Sequence, residues 1–374
     1  MTPRIPINDL SRALLRDRDE IEAAVAAVLT SGWLVHGQQH RLFEEEFAAY
    51  CGSGHCIGVA NGTDALTIAL RAVGVQSGDR VCAVANAGFY ASTACLSIGA
   101  TPLYVDVDAA TLNMSPLALA RALEQGPSAV VATHLYGGMV EIEEIANLCA
   151  AAGVPLVEDC AQSTGACLAS GRKAGTFGAA AAFSFYPTKN LGAIGDGGAI
   201  ITDLPTIAER CQHLRQYGWK TRYVVHGAGV NSRLDEIQAA ALRIRLRDLD
   251  RRNARRQTVL HTYQQALGED SAAGRFVYWH DSTHVAYLAV LRTQHRDALQ
   301  MHLDRLGIAT DVHYPIPDDQ QPLWGDAGGY LAADDLASTH AATAEILSIP
   351  SFPELHDDEV DRIADALVGF TDEA

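Results

Sequence analysis

The sequence has no uninterrupted apolar run of about 18 residues, the length that a membrane-crossing helix needs. Its first residues, MTPRIPINDLSRALLRDRDE, carry too many charges for the apolar region of a signal peptide. Both absences point to a cytoplasmic protein with no membrane partner. Basic residues are in deficit: 28 Lys and Arg against 45 Asp and Glu leave a formal net charge of −17. Such a balance disfavours nucleic acid, and an anionic substrate would need a locally basic pocket. The eight cysteines (51, 56, 82, 95, 149, 160, 167 and 211) include no C-x-x-C pair. They sit in apolar segments such as RVCAVA and NLCAAAG, the pattern of reduced, buried small hydrophobes. His36 and His40 have helical spacing, but HGQQH lacks the glutamate of a zinc protease motif and no further ligands accompany it, so no metal is expected. The sequons at Asn61 and Asn113 have no meaning without a secretion signal. Internal repeats and low-complexity tracts are missing as well.

What is present is a large apolar fraction, 48% of 374 residues, enough for a sizeable core and two domains. Helical periodicity covers 18–30 and 39–50. Short apolar strands then alternate with helices: CIGVA, RVCAVA, TPLYVDV, SAVVATHLYG and VPLVED, with AAAAFSFY and GGAIIT following. The alternation predicts an α/β domain with a mostly parallel central sheet. From about residue 234 a long arginine-rich helical stretch begins. Beyond it FVYWH, HVAYLAVL and IATDVHY read as strands, and RDALQMHLDRLG, ASTHAATAEIL and DDEVDRIADALVGF as helices. The expected division is an N-terminal segment and large α/β domain over 1–245, then a smaller α+β domain over 246–374.

Ligands of open α/β sheets bind beyond the C-terminal ends of the strands. After CIGVA stands Asn61-Gly62-Thr63-Asp64, opening a helix whose first N–H groups could hold an anion, or simply be capped by Asn61 or Thr63. Phe89 and Tyr90 follow RVCAVA, Asp159 and Gln162 follow VPLVE, and Lys189 ends AAAAFSFYPTK. Lys189 precedes a glycine-rich run, LGAIGDGG, so it is not a P-loop lysine, and G-x-G-x-x-G is absent from this stretch. A helix N-terminus for a phosphate, a lysine for an aldehyde, a carboxylate for a pyridinium nitrogen and an aromatic for a ring face together match pyridoxal phosphate chemistry. In that reading Lys189 forms the imine, and the glycines let the backbone close around cofactor and substrate.

The stretches GVANGTDAL, FYASTACLSIGATPLYVDVD, HLYGG, VEDCAQSTGA, SFYPTKNLGAIGDGGAI, GVNSRLDEIQAA and HYPIP occur in that order. In this conjunction the sequence resembles the DegT/DnrJ/EryC1/StrS family of nucleotide-sugar aminotransferases, over nearly its whole length. The resemblance implies the aspartate aminotransferase (fold type I) architecture and pyridoxal 5'-phosphate as cofactor. It implies catalytic roles for Lys189 and Asp159, Gln162 near the cofactor's ring hydroxyl, Phe89 stacked on the ring, and Gly62, Thr63 and Ser184 at the phosphate. Asn231 would reach the phosphate from the other subunit of a homodimer. Trp33, Tyr223, His313 and Tyr314 become candidate substrate residues. Lys220 and Arg222, with Arg215, are a candidate cationic patch for a diphosphate. Two departures, Gly88 where threonine is more usual and Cys160 where alanine is, are expected to loosen packing near the cofactor. Sugar dehydrases of the family have histidine at the lysine position, so Lys189 implies amino transfer. The implied reaction moves an amino group from L-glutamate to a nucleotide-linked keto sugar. The motif around Lys189 resembles the C-3 branch, hence a dTDP-3-keto-6-deoxyhexose; a C-4 or UDP-sugar enzyme, or a cofactor-binding regulator without turnover, are the alternatives.

Overall fold

A computed structural model describes residues 3–268, 271–277, 284–327 and 329–371. Two helices lead the chain, α1 (Leu10–Ser31) and α2 (Gln38–Cys51). The Asp9 carboxylate caps α1 by accepting the Ser11 and Arg12 N–H groups, and Gly32 ends it at φ 67°.

The main sheet then builds up in alternation with helices. Its strands are β1 (His55–Val59), β2 (Arg80–Ala83), β3 (Thr101–Tyr104), β4 (Ala129–Thr133), β5 (Leu156–Asp159), β6 (Ala180–Ser184) and β7 (Gly198–Thr202). Between and after them run α3 (Gly62–Ala72), α4 (Tyr90–Ile98), α5 (Pro116–Leu123), α6 (Ile142–Ala152) and α7 (Pro205–Leu214). β4 and β7 are buried at every position, as expected of central strands covered on both faces. The spatial order is β1-β7-β6-β5-β4-β2-β3. Only β7 runs against the rest, pairing antiparallel with both β1 and β6. Apolar residues of α3, α4 and α7 pack on one face of the sheet, and those of α5 and α6 on the other.

A short antiparallel hairpin, β8 (Trp219–Thr221) and β9 (Val224–Val225), projects after α7. The arginine-rich stretch expected as one helix is two, α8 (Glu236–Leu246) and α9 (Leu249–Leu267). At the break Asp248 leaves helical dihedrals, and its carboxylate takes the Arg251 guanidinium at 2.6 Å. The kink lets α8 lie on α1 and α2 while α9 packs against the last helix, α12 (Asp357–Val368).

The C-terminal part has a three-stranded antiparallel sheet of β10 (Arg275–Phe276), β11 (Ala289–Arg292) and β13 (Ile346–Ile349). It also supplies α10 (Arg296–Arg305), α11 (Ala337–Glu345) and β12 (Leu331–Ala332), which extends the main sheet beside β3. Three expectations are corrected here. ASTHAATAEIL is helical only to Glu345; Ile346 and Leu347 open the buried strand β13, which pairs with β11 at one edge of that sheet. IATDVHY is not a strand but a crossing segment with two isolated bridges, Ile308 to Ile5 and Asp311 to Ser348. Of FVYWH, Phe276 ends β10, and residues 278–280 lie outside the described residues. Among the described residues no helix is long and apolar enough to cross a membrane. All eight cysteines are free, seven of them buried.

Candidate active site

The parallel strands deliver their C-terminal ends to one edge, where most of the anticipated residues meet. Past β1, the Asn61 side chain accepts the Asp64 N–H at 2.8 Å and starts α3. Helix geometry leaves the first N–H groups of α3 without helical acceptors. The wall opposite is Ser184, at the end of β6. It stands so close that a Cβ on Gly62 would lie 2.6 Å from the Ser184 Cβ, so only glycine allows this approach. Thr63 is half-buried beside Gly62. Capping and an open helix terminus therefore coexist: Asn61 serves one donor and leaves the others.

Asp159 closes β5 and is 5% exposed. Its carboxylate accepts the Ala161 N–H at 3.1 Å and the Thr133 hydroxyl at 3.4 Å. Burial drives its pKa up; the Ala161 N–H, the Lys189 charge, His134 and Thr133 oppose that rise without cancelling it. The neighbouring Glu158 is structural. It accepts N–H groups of Gly175, Phe177 and Gly178 and the Nε2–H of His134, whose Nδ1 accepts the Val140 N–H. With its acceptor sites filled, Glu158 has none left for an ion between it, His134 and Cys160.

Gln162, also buried, accepts the Tyr136 N–H at 2.8 Å and donates to the Tyr314 hydroxyl at 3.1 Å. The Tyr136 hydroxyl in turn donates to the His313 carbonyl at 2.5 Å. His313 Nδ1 is 2.9 Å from the Ser348 hydroxyl, and burial lowers the imidazole pKa against the raising influence of Asp311. HYPIP thus reaches the strand ends from the C-terminal part of the chain.

Phe89 has φ 70° immediately before α4 and stands half-buried against Trp324, ring centroids 5.6 Å apart. Its N–H donates to Asp318 at 2.9 Å, and Asp318 also accepts the Ser92 hydroxyl at 2.7 Å. The expected looseness at Gly88 is not found. The residue has φ +80°, and a Cβ there would lie 2.7 Å from the Tyr314 ring, which fills the space that a side chain would take. Cys160 is fully buried in an apolar cluster and leaves no looseness either.

Lys189 follows the end of β6, half-buried, with Nζ 4.5 Å from the centroid of the Tyr287 ring. The glycines after it meet protein rather than open space: a Cβ on Gly192 would run into the Pro187 carbonyl, and one on Gly198 into Asn61. They fold the lysine loop back on itself and against α3.

The remaining candidates stand apart from this group. Arg215 is 8% exposed and committed: its Nη1 donates to Glu44 at 2.6 Å and to the Gly58 carbonyl at 2.7 Å. It cannot join Lys220 and Arg222 in a surface patch. Lys220 is exposed, 3.9 Å from Glu209, and the Arg222 guanidinium lies over Tyr223 at 4.9 Å. Tyr223 is 70% exposed on the hairpin, and Trp33 is exposed with its indole N–H on the Val35 carbonyl. Asn231 is exposed, its backbone bridging Gln216. The contributions of Tyr287, Tyr136 and Asp318 were not anticipated. Tyr136 lies inside HLYGG and Asp318 directly follows HYPIP, but neither residue was singled out, and Tyr287 has no motif near it.

A family model for DegT/DnrJ/EryC1/StrS aminotransferases matches residues 16–368. The chain belongs to that family. As a family member it is a pyridoxal phosphate-dependent aminotransferase with the fold type I architecture. It is 40% identical to the erythromycin biosynthesis sensory transduction protein EryC1 of Saccharopolyspora erythraea, over 96% of this chain and 97% of that one. It is likewise 40% identical to dTDP-3-amino-3,4,6-trideoxy-alpha-D-glucose transaminase of Streptomyces venezuelae, over 98% and 96%. Among solved structures, S. venezuelae DesV in complex with a ketimine intermediate superposes with a TM-score of 0.94 at 38% identity, covering 99% of this chain and 100% of that one.

The residues present in this aminotransferase fit pyridoxal phosphate. The Gly62–Ser184 approach makes a cradle beside unfilled N–H groups, Asp159 is a buried carboxyl, and Lys189 is an amine at the same sheet edge.

Proposed function

We propose that this aminotransferase moves an amino group from L-glutamate to C-3 of a nucleotide-linked keto sugar, a dTDP-3-keto-6-deoxyhexose. We propose further that it works in the cytoplasm as a homodimer with shared sites. The observation that carries the chemistry is Lys189 and the buried Asp159 at one sheet edge, beside the glycine-walled start of α3. The sugar class rests on the S. venezuelae relative, named for a dTDP-3-amino sugar, and on the motif around Lys189. The dimer rests on the hairpin, which exposes Tyr223, Val224 and Val225, as a second copy would require.

Bound there, pyridoxal phosphate supplies an electron sink for charge developing at the donor's Cα. Gly62, Thr63 and Ser184 would hold its phosphate, with Asn231 of the second subunit. Asp159, fixed by Thr133 and Ala161, would pair with its ring nitrogen; Phe89 would cover one face, and Gln162 would meet its hydroxyl. The Lys189 amine takes the proton from the donor's Cα and returns one later, first as base and then as acid. His313, Tyr314, Trp33, Tyr223, Lys220 and Arg222 would receive the sugar nucleotide.

The test has two stages. Mixing enzyme with glutamate alone should release one 2-oxoglutarate per site. Offering the product enzyme nucleotide-linked 3-keto and 4-keto sugars, with thymidine or uridine bases, should give amine only from the 3-keto thymidine substrate. Amination of 4-keto sugars alone would overturn the regiochemistry. No 2-oxoglutarate at all would favour a regulator without turnover, the reading that the name of the S. erythraea relative suggests.

A further inference from the structure

Lys189 lies in a segment held on both flanks by a different part of the chain. On one side the Thr188 hydroxyl is 3.5 Å from the Tyr287 hydroxyl. On the other, Asn190 Nδ2 donates to the Val285 carbonyl at 3.1 Å and to Asn253 at 2.7 Å. Between these ties the Lys189 nitrogen sits 4.5 Å from the centre of the Tyr287 ring. Tyr287 belongs to the segment that leads into β11, so one face of the lysine is supplied by the C-terminal part of the chain.

That face is fixed in advance. The Val285 N–H donates to the Gly137 carbonyl at 2.9 Å and the Leu288 N–H to the Tyr136 carbonyl at 3.2 Å. A Cβ on Gly137 would lie 2.7 Å from the Tyr287 nitrogen, so glycine is what permits the two backbones to touch. Behind Tyr287, the buried Arg256 donates to its carbonyl at 3.3 Å and to that of Ser351 at 2.6 Å. An aromatic ring held this firmly beside an amine attracts positive charge on the nitrogen through its negative face, most strongly where water is excluded. The phenol is biased the same way. Burial would raise its pKa, but the Lys189 charge, Thr188 and Arg256 bring it below its ordinary value.

We infer that Tyr287 is a positioning residue for Lys189: its ring and hydroxyl hold the lysine nitrogen at the sheet edge and stabilise positive charge there once the cofactor is bound. This rests on the reading of Lys189 as the cofactor-holding lysine. The titratable groups that feel the Lys189 charge besides Tyr287 are Asp159 across the site and His313 on the HYPIP side; Asp311 stands beside His313, and Arg256 behind Tyr287. Changing Tyr287 removes none of these groups, although Arg256 loses the influence of the phenol.

The test is the visible absorbance of the holoenzyme followed from pH 6 to pH 10, in Tyr287→Phe and Tyr287→Leu beside the unaltered protein. Loss of the ring should move the titration midpoint down by about one pH unit, and loss of the hydroxyl alone by a smaller amount in the same direction. Retained far-ultraviolet dichroism and cofactor stoichiometry certify the variants. If Tyr287→Leu does not fold, the Phe variant decides alone. An unmoved midpoint in folded Tyr287→Phe and Tyr287→Leu, or in Phe alone where Leu fails, overturns the inference. Lys189→Ala separates this from failure of the underlying reading: a visible band that survives in that variant shows that the lysine never carried the cofactor.

Discussion

Gly88 sits at φ +80° with the Tyr314 ring where its side chain would be. Gly88→Thr should therefore cost about 1–3 kcal/mol in backbone strain alone and displace Tyr314, breaking its bond with Gln162. Thermal unfolding should report the first effect and a raised KM for the sugar nucleotide the second. Asp159→Asn should fold and bind cofactor yet lose at least ~10²-fold in kcat, because an amide cannot hold a ring proton by charge. Single-turnover kinetics with glutamate checks this; a near-normal rate would remove Asp159 from the chemistry. At this scale the places of Asp159 and Lys189 were legible, because each ends or follows an apolar strand that the pattern makes visible. The sequence was silent on Tyr287 and Asp318. Their places depend on how distant segments cross, and nothing local in AYLAVL or IPDDQ encodes that crossing.

Among the elements, two carboxylates respond to acid in opposite senses. Glu44, on α2, is buried, which works to raise its pKa, but His40, Arg215 and the Gly58 N–H hold it down at about 2. A depressed carboxylate stabilises the fold above its unfolded pKa, and that stability is lost as pH falls from about 4.5 toward 2. Arg215→Met strands that charge, so it should destabilise by about 3–5 kcal/mol at neutral pH, read from denaturant unfolding. Asp318, tying Phe89 and α4 to the segment after HYPIP, is pushed by burial to about 7. Here the sign reverses: the folded state binds the proton more tightly, so stability declines as pH rises from about 4 to 7. Asp318→Asn should remove that decline, and the difference in Tm between variant and parent should shift in the variant's favour across the window. A difference independent of pH would show that Asp318 does not titrate there. Strands such as AVVAT and GAIIT were legible because burial on both faces makes them continuously apolar. The break between α8 and α9 was not, since helical periodicity runs through Arg247 and Asp248, and only packing against α1, α2 and α12 separates the two. ILSI was hidden for the converse reason: it continues a helical pattern and becomes a strand because β11 is there to pair with it.

For the whole molecule, the exposed hairpin and Asn231 predict complementation between copies. Lys189→Ala and Asn231→Asp homodimers should each be poor enzymes. Mixed dimers should recover up to one complete site, joining the lysine of one chain with the asparagine of the other. Verified mixed dimers without recovery, from correctly folded parents, would argue that each subunit works alone.

The strand order bears on how the protein comes into being. β1 is the first sheet strand to be synthesised, yet it lies at the sheet's margin and its neighbour there is β7, with Val59 opposite Gly198. Ser184 and Gly198, the residues that press against Gly62 and Asn61, are made after α3 and five of the strands. A nascent chain halted before residue 184 thus owns the capped helix and Asp159 but has nothing to close against them. Cofactor capture becomes a late event in the life of the polypeptide. It can act as a check that translation has passed the middle of the message, since a fragment cut short there would be left without its ligand and without the stability that ligand binding confers.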